Sequence, residues 1–304
     1  MKQNDTPLME VTLESTWGSL QLQRTAAGLG FRLGNKAEGF GPGIVENTLT
    51  PRLRRRGAML TEQRLTEGDM FLPIIISARS HSELRQLVAD LEAVMCPAEG
   101  TFRVVVTDPN TGASRYRDVA YRNGLETPEW YSPSSRQYHI TVDYEDPWAY
   151  ALDGVSTRVD AAPSQGSAGW VAPFIFPLVS GTMSETVDGG VDNAGDRPAP
   201  LVVTFGGQVT EPRIRNRATG AVVGVAGSLA WDERITIDAH KETVELWRVG
   251  DPHIRQSVPG RLIRATRLSR MAAEPGRNSF EFRSQAASNA FVEISVHSAF
   301  SSLM

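Results

Sequence analysis

Short runs of alternating or continuous apolar residues, separated by turn residues, recur along the whole 304-residue chain and constrain its fold more than any other feature. Ten runs have the length and the β-branched or aromatic content of strands: VTLES, LQLQR, FLPIIIS, FRVVVT, YHITVDY, PLVVTF, RITIDA, VELWRV, NSFEFRS and FVEISVHS. Strands at this density, with turns between them, predict a mainly β protein with a sandwich architecture.

Residues 119–150 show this pattern most clearly, because they contain two strands, the turn region between them and an aromatic stop. Asn123-Gly124 ends the first strand, since both residues tolerate positive φ. Asp146-Pro147-Trp148 ends the second. Alternation predicts that one face of the second strand carries Tyr138, Ile140, Val142 and Tyr144.

One segment has helical instead of strand periodicity. SHSELRQLVADLEAVMCP places apolar residues three and four apart, which predicts one amphipathic helix at about residues 80–95. Ser80 with Glu83 fits a capping box, and Pro97 stops the helix. The first half of the chain is therefore predicted to be an α+β sandwich with the element order ββαβββ.

The length predicts two domains, because 304 residues exceed the usual size of one. Ala, Ser, Gly and Pro dilute the strand pattern between residues 151 and 170, so the boundary is placed near residue 155. We therefore expect domains at 1–155 and 156–304. The second contains only strand and turn signals, which predicts a β-sandwich or jelly roll.

The composition argues against several function classes. A net charge of -4 gives no basis for nucleic-acid recognition. The single cysteine, Cys96, cannot form an internal disulfide, and no Cys/His spacing fits zinc. The N-terminal residues lack the apolar core of a signal peptide, and no window has the roughly 18 apolar residues that a membrane span needs. We expect a soluble chain with no membrane insertion.

Catalytic motifs are equally weak. Asp143 and Glu145 could serve as paired carboxylates of a glycosidase, but alternation puts them opposite Tyr144, on a solvated face. Five scattered histidines show no metal-binding spacing, and neither a G-x-S-x-G elbow nor a Walker loop occurs. The sequence therefore predicts no enzyme activity and no cofactor.

Two polar segments remain open to interpretation. The first, DGGVDNAGD, offers Asp188, Asp192, Asn193 and Asp196 as oxygen ligands for calcium on a loop, although these residues are also common in turns. The second is basic, and it is either a solvated turn or a contact for an acidic partner. The candidate contact residues are Arg52, Arg54, Arg55 and Arg56.

The serial order of these pieces resembles the distal tail and minor tail proteins of long-tailed bacteriophages. In the first half the resemblance rests on Arg55-Arg56-Gly57-Ala58 before a strand, LPIIISARSHSELRQLVADLEAVMCP, FRVVVTDPNTG and YHITVDYEDPWAY. In the second half it rests on VDNAGDRPAPLVVTFGG, IRNRATGAVV, LAWDERITIDA, EPGRNSFEFR and FVEISVHSAF.

The resemblance implies a structural virion protein at the tail tip. It implies a self-assembled ring, expected to be a hexamer, that joins the tail tube protein to the tail-tip hub or baseplate, with the tape measure protein as a further partner. It also implies that the first domain builds the ring and that a galectin-like second domain lies outside it.

A carbohydrate-binding β-sandwich is the alternative function. Trp170, Trp231 and Trp247 could stack on host surface glycans, but each lies in or beside a strand, where burial in the core is the competing interpretation.

Overall fold

The computed structural model describes residues 9–23, 28–52, 56–95, 100–160, 187–284 and 286–304. The chain forms two compact units, which we call unit 1 (Met1–Asp153 with Phe300–Met304) and unit 2 (Gly154–Ala299). Over the described residues the protein is mainly β with a single α-helix, as the sequence predicted. No helix in these ranges is long and apolar enough to span a membrane.

The described residues of unit 1 form one helix, which comes after six strands and before five along the chain. The elements are β1 (Glu10–Ser15), β2 (Gly18–Gln21), β3 (Gly30–Leu33), β4 (Ile44–Pro51), β5 (Ala58–Thr66), β6 (Gly68–Ser77), α1 (His81–Met95), β7 (Thr101–Thr107), β8 (Ser114–Asn123), β9 (Trp130–Tyr131), β10 (Ser135–Tyr144) and the first part of β11 (Ala149–Asp160).

Strand β8 lies at the centre of unit 1, because it pairs with β7, β10 and β11 along its length. On one side β7 pairs with β1, which pairs with β2. On the other side β10 pairs with β6, which pairs with β3. Helix α1 contacts β1, β2 and β6 and buries its apolar face there. The core that results includes Leu13, Leu72, Ile74, Leu84, Leu91, Val104, Ile140 and Val142.

Helix α1 begins where the sequence predicted. The Ser80 hydroxyl accepts a hydrogen bond from the Glu83 amide at 3.2 Å. The Glu83 carboxylate accepts one from the Arg79 amide at 2.8 Å. Both bonds satisfy amides at the start of the helix that have no helical acceptor. The carboxylate therefore caps one residue earlier than a capping box would place it.

The predicted element order of the first half was incomplete. Six strands precede the helix instead of two. Three of them, β3, β4 and β5, gave no strand signal, because β3 is only four residues long and because β4 and β5 lack the alternation of a core-facing strand. Residues 151–160, where the sequence showed a diluted strand pattern, continue the 12-residue strand β11.

Unit 2 contains the rest of β11 and the remaining strands. These are β12 (Val187–Asn193), β13 (Ala199–Thr210), β14 (Arg213–Asn216), β15 (Val222–Gly224), β16 (Ser228–Leu229), β17 (Glu233–Asp238), β18 (Thr243–Arg248), β19 (Asp251–Ser257), β20 (Ala272–Ala273), β21 (Gly276–Arg283) and β22 (Ala286–Phe300). Two 3-10 turns lie at Pro259–Arg261 and Leu268–Arg270.

Two antiparallel layers make unit 2 a β-sandwich. One layer has the strand order β19-β18-β17-β13-β22-β11, and the other has the order β12-β21-β14-β15. Phe205 on β13 and Phe282 on β21 are both buried, and their ring centroids are 6.3 Å apart in a stacked arrangement. The contact joins the inner faces of the two layers, which is where a sandwich has its core.

Candidate interaction surface

Strands β4 and β5 form a two-stranded sheet of their own, which we call the arm (residues 44–66). Their register runs from Ile44 opposite Thr66 to Pro51 opposite Ala58, and neither strand pairs with another strand of the described residues. Every residue of β4 is exposed. A two-stranded hairpin is marginally stable when nothing covers it, so the arm is a candidate for contact with a partner.

The arm exposes large apolar side chains that a soluble monomer would usually bury. Leu49 is 61% exposed, and Leu60, which lies opposite it in the register, is 52% exposed. Ile44, Val45 and Met59 are exposed to a similar extent. Covering a side chain of this size is worth about 1.5–3 kcal/mol. Several such side chains on one two-stranded sheet make the arm a candidate interaction site.

The tip of the arm is basic. Arg52 and Arg56 are exposed, whereas Arg54 and Arg55 lie outside the described residues. The Arg52 amide donates to the carbonyl of Gly57 at 3.2 Å, and Gly57 has a φ of 98°, so the chain reverses here through a glycine conformation. Apart from these four arginines, unit 1 carries twelve Lys and Arg residues against twenty Asp and Glu residues. The body of unit 1 is therefore acidic where the tip is basic.

A buried arginine holds the base of the arm. Arg117 is 1% exposed, and its guanidinium donates to the carbonyl oxygens of Gly39 and Pro147, both at 3.0 Å. Its Cζ atom lies 4.3 Å from the ring centroid of Tyr144. Burial lowers the pKa of Arg117, and the nearby Asp146 carboxylate opposes that shift. The guanidinium thus ties the chain entering the arm to the corner that follows β10.

That corner is itself fixed by hydrogen bonds of one carboxylate. Asp146 accepts from the amide of Trp148 at 2.9 Å and from the hydroxyl of Tyr150 at 2.5 Å. Burial, followed by the charge of Asp146, raises the pKa of Tyr150 far above its ordinary value. The sequence identified Asp146-Pro147-Trp148 as a strand stop, and the structure shows a hydrogen-bonded corner there.

The candidate glycosidase carboxylates are not arranged as a catalytic pair. Asp143 accepts a hydrogen bond at 2.9 Å from Arg122, which is on the neighbouring strand β8. Tyr144 is buried while Asp143 is half-buried and Glu145 is exposed, as alternation predicted. The carboxylate of Asp143 therefore serves an ion pair at the surface of the sheet.

Most of the Asp-rich segment is a strand and not a loop, and only residues 194–196, with the candidate Asp196, lie in the bend that follows. Asp188 and Asp192 lie in β12, and Asn193 ends it. The Asn193 amide is buried, donating to the carbonyls of Arg197 at 2.7 Å and Ala273 at 2.9 Å and accepting from the amide of Gly195 at 3.0 Å. Among the side chains that the structure describes, no group of three His, Cys, Asp or Glu residues is placed to hold a metal ion.

The two described candidate tryptophans have different environments. Trp247 is half-buried, and its indole N–H donates to the Thr236 hydroxyl at 3.0 Å. Trp231 is 75% exposed in the turn before β17, where its carbonyl accepts from Arg234 at 3.0 Å. Burial in the core, the competing interpretation, is therefore wrong for Trp231. Trp170 lies outside the described residues.

Sequence comparisons do not classify the chain, since no family model and no curated protein matches it. Comparison with solved structures shows its fold, which is that of a phage Dit protein and of phage baseplate proteins.

The Dit protein (gp 19.1) of SPP1, described as a paradigm of the hub adsorption apparatus in phages that infect Gram-positive bacteria, superposes with a TM-score of 0.60 at 12% identity. The match covers 96% of this chain and 99% of that chain. Two structures of the phage P2 baseplate in its activated conformation, with Ca and with Sr, give TM-scores of 0.56 and 0.57 at 12% identity. Each covers 94% of this chain and 97% of that chain.

Proposed function

We propose that this protein is a structural component of the tail tip of a long-tailed phage and assembles into a ring, six-fold in symmetry, through its arm. The observation that carries the proposal is the arm itself, a free-standing two-stranded sheet with apolar side chains exposed along it. The shared fold with phage hub proteins supports the setting.

A second copy of the chain is the partner that best fits the arm. The arginines at its tip complement the excess of Asp and Glu in the body of unit 1. An arm that docks on the body of the next copy makes a head-to-tail contact, and such contacts close into rings when the rotation allows. Long-range attraction between tip and body also favours encounter in the correct orientation.

The ring joins the tail tube protein to the tail-tip hub or baseplate, with the tape measure protein as a further partner, and the protein is located at the tail tip of the virion. In this proposal unit 1 builds the ring, and neither unit has a catalytic role. The carboxylates that had suggested a glycosidase form a surface ion pair instead, which supports a structural role.

The first experiment is to measure particle mass and symmetry of the purified chain across a range of concentrations, alone and with the tail tube protein. Light scattering and negative-stain electron microscopy should show a six-fold ring. A chain that stays monomeric both alone and with the tube protein would contradict the proposal.

A pair of variants tests the role of the arm. Leu49→Thr with Leu60→Thr removes apolar surface from the arm and should abolish assembly without unfolding the protomer. Ile254→Thr is the matched control, because Ile254 is 68% exposed on the edge strand β19 of unit 2. If the double variant and the Ile254→Thr control assemble equally well, the arm is not part of the interface.

Glycan binding by unit 2 is a second candidate function, because Trp231 presents an exposed ring of the kind that stacks on sugars. It predicts that host surface glycans raise the thermal unfolding temperature of the wild-type chain and leave that of Trp231→Ala unchanged. Absence of any glycan-dependent shift would exclude it.

A further inference from the structure

The two glycines that flank the arm, Gly43 and Gly68, have no room for a side chain. A Cβ atom on Gly43 would lie 2.7 Å from the Cβ atom of Pro147. A Cβ atom on Gly68 would lie 2.6 Å from the Cζ atom of Tyr144 and 3.2 Å from the Cδ1 atom of Ile44. Real Cβ contacts are longer than this, so both ends of the arm depend on glycine at these positions.

Arg117 contacts both of the residues that crowd these glycines, Pro147 and Tyr144, which we call the walls. Its guanidinium binds the carbonyl of Pro147, which is the wall facing Gly43, and lies over the ring of Tyr144, which is the wall facing Gly68. The same guanidinium binds the carbonyl of Gly39 on the incoming chain. One buried side chain therefore fixes both walls and the entry to the arm.

Backbone pairing fixes the two ends of the arm as well. Glu38 and Phe71 exchange two hydrogen bonds, at 3.0 and 3.1 Å, next to the entry. At the C-terminal end of the arm only Glu67 separates β5 from β6, so the direction of β5 is coupled to that of β6, which pairs with β10 and β3. The arm beyond these residues is exposed, so its direction is determined at its base.

We propose that Gly43, Gly68, Pro147, Tyr144 and Arg117 form a rigid root that sets the direction of the arm before any partner binds. The inference rests on the proposed function, since it concerns how one copy meets the next. Docking an arm that already points in the bound direction avoids the loss of conformational freedom that a swinging arm would undergo on binding, and the gain appears as affinity. These five are positioning residues, and the docking surface itself is on the arm.

The test compares Gly68→Ala and Gly43→Ala with the matched control Gly41→Ala. A Cβ atom on Gly41 would meet nothing within 4 Å, so the control adds the same methyl group to the same segment without a clash. We expect Gly41→Ala to assemble like wild type. The two root variants should stay folded by circular dichroism but require a concentration higher by about tenfold or more to assemble, because the arm must be redirected.

Arm direction is measured separately in the monomer. Spin labels at Gln63→Cys on the arm and Ala89→Cys on helix α1, in a Cys96→Ser background, report the distance between arm and body by pulsed electron resonance. The distribution should be narrow in wild type and Gly41→Ala, and shifted or broadened in Gly68→Ala. If Gly68→Ala does not fold, Pro147→Ala decides, since it removes a wall instead of adding an atom and should broaden the distribution.

The outcomes separate the two proposals. A wild-type chain that never assembles contradicts the proposed function, whatever the spin labels show. Wild-type assembly together with unchanged assembly and unchanged distances in Gly68→Ala, Gly43→Ala and Pro147→Ala overturns the root and leaves the ring intact. If the root variants show impaired assembly and altered spin-label distances while Gly41→Ala shows neither change, the proposal of a rigid root is supported.

Discussion

Replacing Arg117 by Met should destabilise unit 1 more than any comparable change at a surface arginine. Methionine has a similar length and no donor, so the variant keeps most of the packing and removes the hydrogen bonds. The carbonyl oxygens of Gly39 and Pro147, both in half-buried residues, would then lose their donor. The contact between the guanidinium and the Tyr144 ring would also be lost.

The expected loss follows from these contacts. A buried carbonyl left without a donor costs about 1–3 kcal/mol, and the low end applies to these half-buried residues, so the two together cost about 2 kcal/mol. The desolvated cation–π contact adds about 2 kcal/mol. Relief from burying a charge works in the opposite direction, as the lowered pKa of Arg117 indicates. We expect a net loss of about 3 kcal/mol, which for a unit of this size is a fall of about 6–12 °C in the midpoint of its unfolding transition.

Calorimetry of the full chain measures this shift, with Arg122→Met as the control. Arg122 is on the same strand β8, but its side chain is 49% exposed, and of its partners Asp69 is exposed and Asp143 is half-buried. Such pairs contribute about 1 kcal/mol or less. If Arg117→Met and Arg122→Met unfold within about 1 kcal/mol of each other, the hydrogen bonds of Arg117 do not hold the corner and the reasoning fails.

Three further changes test other parts of the fold. Asn193→Ala should destabilise unit 2 by about 2–3 kcal/mol in denaturant unfolding, because it leaves the buried carbonyl of Ala273 and the partly buried carbonyl of Arg197 without donors; a loss below about 0.5 kcal/mol would contradict this. Tyr150 has a raised pKa, so stability should be full below pH ~10 and fall as the pH rises above it, where only the unfolded state releases its proton; Tyr150→Phe should flatten that slope between pH 9 and 11, and an unchanged slope would assign it to other groups. Ser80→Ala should cost about 1 kcal/mol by removing the hydroxyl that caps α1, and an unchanged urea midpoint would show that Glu83 caps the helix alone.

The sequence was sufficient where local chemistry and burial agree. Helix α1 was predicted within a residue of its observed start, because its apolar spacing and the Ser80 cap both point to the same helix. Strand β10 was predicted with the correct buried face, since strict alternation leaves one arrangement once a side is buried.

The arm could not be found by the same argument. The resemblance to tail proteins placed a strand after Ala58, but β4 contains no periodic burial that would distinguish a strand from a loop. Burial periodicity records contacts within one chain, and the arm makes few such contacts apart from those between its own two strands. A strand whose apolar side chains are not buried within its own chain gives a weak periodic signal in a single sequence.

Arg117 was missed for a different reason, although a signal was present. Alternation along β8 puts Arg117 on the same face as Val119, which is 1% exposed. A charged residue on the buried face of a strand requires hydrogen-bonding partners, and here they come from distant loops. The sequence can therefore show that such a residue needs a buried partner, whereas only the fold identifies the partner.

The two features that sequence reasoning missed belong to one arrangement. An arm that is exposed along its length cannot set its own direction, because neither of its strands pairs with another strand of the described residues. Its direction must be set where it joins the body, and that is where the buried guanidinium lies, beside two glycines with no space for a side chain. In the proposed assembly, a fixed base and exposed apolar side chains on the arm are complementary requirements, because each protomer must meet copies of itself in one geometry.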